Sequence, residues 1–132
     1  MKYDLSVILP GLNPETWLGH MEDIRKSMGS YTFELIGVGP RPPTQEFLDL
    51  ENTIYIQEFG HPSRCVQRAT TVARGKYVTS GMEDGKWQPR AYEECLNILE
   101  NELSYSDGIC VRFYEQDMDP NAPLPPQPPE WP

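Results

Sequence analysis

The sequence predicts a three-layer α/β/α fold with a mostly parallel sheet, and three observations carry that prediction. Strand-length apolar runs alternate with helix-period stripes along most of the chain, in the order β-α-β-α-β-α-β-α-β. The first run holds Leu5, Val7, Ile8 and Leu9, nearly continuous apolar character that suits a strand buried on both faces. Breakers fall between the runs: Pro10-Gly11-Leu12-Asn13, Gly29, Gly39-Pro40-Arg41-Pro42-Pro43 and Asp107-Gly108.

Each element follows from its own residues. The first strand covers 4–9 and stops at Pro10-Gly11. Asn13 is placed to cap a helix, with Pro14 at its first position and Glu15 in its first turn. Trp17, Leu18, Met21, Ile24 and Met28 form that helix's apolar stripe, and Gly29 ends it. The second strand, 33–38, carries Phe33, Leu35, Ile36 and Val38 into a stiff loop whose three prolines lack backbone donors. Thr44 caps a short helix through Phe47, Leu48 and Leu50. The third strand, 53–59, alternates Ile54 and Ile56 with Tyr55 and Gln57, as a strand in an edge or half-exposed position does.

The next stretch organises the rest of the chain. Ser63 is the expected cap of a central helix whose apolar face holds Cys65, Val66, Ala69, Val72 and Ala73. Gly75 is the expected left-handed stop, and Lys76-Tyr77-Val78-Thr79 supplies β-favouring side chains. Glu83 and Asp84 follow between Gly81 and Gly85, past the strand's carboxyl end, where open α/β sheets hold ligands. Beyond the turn, Pro89 opens a helix with Tyr92, Cys95, Leu96, Leu99 and Leu103 on its apolar face. A last strand is expected over 109–114. The organisation is thus a domain over 1–118 and a proline-rich, polyproline-like tail over 119–132. Trp131 in that tail is a candidate anchor, on the chain's own surface or on a second copy in a homo-oligomer. A disordered end is the alternative.

Composition bounds the function. At 132 residues and 38% hydrophobic content, one core is expected. No apolar run is long enough to span a bilayer and no signal-peptide pattern opens the chain. Three cysteines without paired spacing argue against a disulfide framework or a zinc site, so a cytoplasmic location is expected. Cys65, Cys95 and Cys110 fall on apolar faces and read as core thiols, and His20 and His61 read as lone histidines. A formal charge of -9 disfavours nucleic-acid polymers as partners. Arg64, Arg68, Arg74 and Lys76 nevertheless cluster in sequence near the acidic turn, either as contacts for a small phosphate ligand or as a solvated helix face.

Four pieces, in order, resemble the N-terminal half of the GT-A fold glycosyltransferases, the large inverting family that opens on an "SVIIPxYN" strand. Ser6-Val7-Ile8-Leu9-Pro10-Gly11-Leu12-Asn13 is similar to that opening. His61-Pro62-Ser63-Arg64-Cys65-Val66-Gln67-Arg68 resembles the family's "GPSxARNxG" helix, and Ala73-Arg74-Gly75-Lys76-Tyr77-Val78 its "AxGxYI". Met82-Glu83-Asp84-Gly85 stands where the family has its DxD motif, with Trp87 at a frequent aromatic position.

The resemblance implies a nucleotide-diphosphate sugar donor, an acceptor, and a divalent Mn²⁺ or Mg²⁺ bridging the phosphates. It implies Pro10, Gly11, Leu12, Asn13, Arg64 and Arg68 at the nucleotide sugar and Asp84 as metal ligand, with Glu83 as a further one. The chain departs from the family at three points. Met82 replaces the first DxD aspartate, Gly39-Pro40 stands where a base-reading aspartate belongs, and little chain remains for an acceptor pocket. Inverting transfer needs a general base; Glu115, Asp117 and Asp119 are candidates, against the reading of a solvated acidic surface. The function expected is therefore metal-assisted sugar transfer from a nucleotide donor. The alternatives are a catalytically inactive GT-A-like binding or interaction module, and a fragment completed by another chain.

Overall fold

The computed structural model describes residues 1–101 and residue 121. Four strands make one parallel sheet: β1 (Tyr3–Pro10), β2 (Phe33–Gly39), β3 (Thr53–Gln57) and β4 (Gly75–Ser80). Their order is β3-β2-β1-β4, with β1 central. Leu5 of β1 stands opposite Phe33 on one side and Tyr77 on the other. All of Leu5 to Leu9 is buried, as the continuous apolar run predicts. Strand β3, with its alternating pattern, lies at the edge, each residue partly or fully exposed.

Helices cover both faces. A 3-10 turn (Pro14–Thr16) leads into α1 (Trp17–Met28), and α2 (Gln45–Leu48), α3 (Pro62–Thr70) and α4 (Ala91–Asn101) follow. On one face Leu5, Val7, Leu9, Phe33 and Leu35 meet Trp17, Ile24 and Met28 of α1, Phe47 of α2 and Leu96 of α4. On the other, Ile8, Ile36 and Val38 meet Cys65 and Ala69 of α3. The odd and even residues of β1 thus serve different cores, which is the period-2 rule at work. Thr44 caps α2 by accepting from the Phe47 amide, and Gly29 ends α1 at φ 60°.

Four local expectations are corrected. Helix α3 begins two residues earlier than a cap at Ser63 implies: His61 is its cap and Pro62 its first residue, where a missing N–H costs nothing. It also ends at Thr70, so Val72 is left 41% exposed instead of joining the buried face. Gly75 is no helix stop. It is the first residue of β4, where an added Cβ would lie 2.5 Å from the Ser6 nitrogen; glycine is there for close strand approach. Pro89 precedes α4, which starts at Ala91 after Arg90 at φ 66°.

A buried carboxylate that the hydrophobic pattern hides sits on the amino-terminal half of the sheet. Glu34 has no exposure and accepts from Ser6 Oγ at 2.6 Å, the Arg74 amide at 2.6 Å and Arg74 Nε at 2.8 Å. Arg74 and Lys76, expected beside the ligand site, therefore serve the opposite end of the sheet. Arg74 pairs with Glu34 and Lys76 with Glu100 at 2.7 Å. Residue Leu103, the strand expected over 109–114, Cys110, the base candidates Glu115, Asp117 and Asp119, and Trp131 lie outside the described residues. Among the described residues no helix is long and apolar enough to cross a membrane.

Candidate functional site

The carboxyl ends of all four strands open into a single pocket. The β1–α1 loop supplies Pro10 to Asn13, the end of β2 supplies Val38 to Pro40, the β3–α3 turn supplies Glu58 to Pro62, and the turn after β4 supplies Gly81 to Asp84. Cys65 of α3 forms part of its lining. The cavity measures about 770 Å³, within the ~300–1,000 Å³ of small-molecule sites. Parallel strands with alternating crossovers create this crevice without help from side chains. Glycines let its walls close: a Cβ on Gly39 would fall 2.0 Å from the Gly11 carbonyl oxygen, so the loop after β1 lies directly on the end of β2.

The two carboxylates of the acidic turn have different roles. Both oxygens of Glu83 are engaged. Leu12 N–H donates to Oε1 at 2.8 Å, Asn13 N–H reaches Oε2 at 3.0 Å, and Trp17 Nε1 donates to Oε2 at 2.8 Å. Asn13 Nδ2 adds a longer bond of 3.4 Å. Asn13 was expected to cap the first helix, but its side chain accepts no capping bond. Glu83 instead reaches from across the fold to the amides just before the helix, placing a carboxylate near its positive end. Asp84, next in sequence, is exposed, lines the same pocket as Pro10 to Asn13, and has no hydrogen-bond or ion-pair partner among the described residues.

The third acidic residue in the lining is neutralised. Glu58 accepts from Arg64 Nε at 3.0 Å, Arg68 Nη1 at 3.2 Å and the amides of Phe59 and Gly60 at 2.9 and 3.0 Å. Its carboxyl is held down to about 2, chiefly by the Arg64 hydrogen bond, with Gly60 and Arg68 adding to it. Arg64 and Arg68, expected at the phosphates, stand on α3 beyond the lining, tied to Glu58. Arg41 donates to the Leu12 carbonyl. Among the lining residues, then, only His61 is able to carry positive charge. Burial raises the Cys65 thiol, which keeps it a protonated part of the wall.

Sequence reasoning placed Pro10, Gly11, Leu12, Asn13, Glu83 and Asp84 together, and the structure does bring them to one pocket. It missed Glu58 and Phe59, read as the end of a strand, and the indole N–H of Trp17, read as core. Only the polar atom on an otherwise buried ring signals the last of these. Leu12, Phe59 and Met82, 63%, 76% and 48% exposed, give the mouth an apolar edge.

The donor set bears on the implied metal. Met82 offers a soft thioether to a hard cation, Glu83 is consumed by N–H donors, and Asp84 alone presents free anionic oxygen. Among the described residues no group of three or more His, Cys, Asp or Glu could hold a metal ion. Mg²⁺-type ions are commonly held by one or two carboxylates together with substrate phosphates. Asp84 is a single carboxylate of that kind and does not by itself make a protein cage. No protein-family model matches this chain, and no curated protein sequence matches it.

Proposed function

We propose that the pocket takes a nucleotide-diphosphate sugar and that the chain acts in glycosyl transfer from it, in the manner of the GT-A enzymes its motifs resemble. One observation carries the reading: Asp84, unpartnered among the described residues, and the Pro10–Asn13 loop line the same cavity at the strand carboxyl ends. The loop would meet the nucleoside through its backbone, and Asp84 would hold a Mn²⁺ or Mg²⁺ brought in with the diphosphate. When bound, that ion neutralises charge on the departing nucleoside diphosphate. Of the three lining carboxylates Glu58 is ion-paired and Glu83 is hydrogen-bonded, so Asp84 is the one left to attract a cation, and capture of the diphosphate is expected to depend on that cation.

A second reading, binding without transfer, is favoured by one specific observation. Met82 stands in the first DxD place and the oxygens of Glu83 are already engaged, leaving one free carboxylate where the family motif has two. Calorimetric titration with uridine diphosphate and guanosine diphosphate, with and without Mn²⁺, tests the shared core of both readings. Metal-dependent binding of one of them is expected. Indifference to both nucleotides in Mn²⁺ contradicts the proposal. Turnover of a nucleotide sugar that disappears in Asp84→Ala then selects transfer over binding.

A further inference from the structure

We propose that Glu83 is a positioning residue, a latch that fixes the acidic turn on the β1–α1 loop and so sets the wall from which Asp84 meets the ligand. The inference rests on the reading of the pocket just given.

The contacts assign this role more readily than a ligand-binding one. A carboxylate has about four lone-pair directions, and Glu83 faces four donors: two consecutive backbone N–H groups, one side-chain amide and one indole. Little capacity remains for a cation or a substrate hydroxyl. The donors are themselves fixed. Trp17 is fully buried, 5.4 Å from the Phe47 ring and 6.0 Å from that of Tyr55, so its N–H is aimed by the core. The loop is shaped around the carboxylate, since a Cβ on Gly11 would fall 2.0 Å from the Glu83 carboxyl carbon. At its root the turn is held to the sheet by the Gly81 amide donating to Ile8 at 2.8 Å. Glu83 holds the tip, and Asp84 is the next residue. Releasing Glu83 frees Asp84 to move while the sheet stays intact.

Glu83→Gln separates charge and acceptor count from shape. The amide puts an NH₂ against N–H donors, whereas Asp84→Asn changes no contact of the latch. In ¹⁵N-labelled full chain, the Trp17 indole and the Leu12 and Asn13 amides report the latch directly, with β2 amides as the control for folding. The expected result is that Glu83→Gln and Glu83→Ala shift those three signals and leave β2 in place. Both also weaken Mn²⁺-dependent binding of whichever of uridine and guanosine diphosphate wild type takes by about tenfold or more, as loss of a charge-assisted bond implies. Glu83→Asp, which keeps the charge, recovers part of that affinity, and Asp84→Asn leaves the three signals where they are. An unmoved Trp17 indole in Glu83→Gln overturns the latch, and so does wild-type affinity in a variant whose indole has moved. If wild type ignores the nucleotide while the indole responds, the reading of the pocket fails and the positioning role with it; if the indole fails to respond but wild type binds, the latch fails alone.

Discussion

Glu34 is fully buried and accepts from three donors, Ser6 Oγ of β1 and the amide and Nε of Arg74 in the connection before β4. Ser6 Oγ, which donates to it, also accepts from the Gly75 amide at 2.8 Å, so one carboxylate ties β1, β2 and the start of β4 together. Removing it takes the acceptor from a buried hydroxyl and a part-buried amide, while the Arg74 guanidinium, 35% exposed, can turn to water. Glu34→Ala is expected to lower unfolding free energy by about 1–3 kcal/mol, the cost of leaving buried donors without their acceptor. Urea denaturation of the two proteins checks this, and a loss under about 1 kcal/mol would contradict the account. The effect leaves the pocket untouched, because Glu34 lies on the amino half of the strands. Nothing in Phe33-Glu34-Leu35-Ile36 announces such a partner, since Arg74 is forty positions away. Side-chain partners of long sequence separation are the part of this molecule that its own pattern conceals, and the Trp17–Glu83 bond is another.

The elements themselves were far more legible, because periodicity is local. Continuous apolar character marks β1 as buried on both faces and alternation marks β3 as an edge or half-exposed strand; the structure puts β1 inside the sheet and β3 at its edge. The errors fell at ends and glycines, where tertiary contacts override local preference. Gly75 reads as a helix stop by its neighbours, yet the requirement it meets comes from β1. Its register partner is Tyr3, and Leu5 and Ser6 leave no space for a methyl group. Gly75→Ala is accordingly expected to destabilise the sheet by about 1–3 kcal/mol through overpacking. Thermal melts of the variant would show it, whereas a C-cap role in the left-handed region would give strain but no disturbance of β1 amides. The acidic turn was found from its place after β4, which is a property of the element. That Glu83 would turn inward and Asp84 toward the pocket was beyond any reading of the turn alone.

On the scale of the molecule, the fold gathers acidic groups at one mouth and then manages each differently: Glu58 by arginines, Glu83 by N–H donors, and Asp84 by no partner among the described residues. The pH response follows. Glu58 has a folded pKa near 2 against an ordinary 4.5, so its contribution to stability is complete above about 4.5 and lost as pH falls through 2. Between those limits the melting temperature of wild type should fall more steeply with acid than that of Glu58→Gln; parallel curves would place the stabilisation elsewhere. Above that window this pair contributes no pH dependence. The central claim is that Asp84 gives a diphosphate-borne metal its protein oxygen. The most direct test is uridine and guanosine diphosphate titration in Mn²⁺ of wild type beside Asp84→Asn, with circular dichroism confirming the fold of both. Wild type is expected to bind one of the two nucleotides in metal, and Asp84→Asn to lose at least about tenfold of that affinity. Equal affinities, or no binding by wild type, would contradict it.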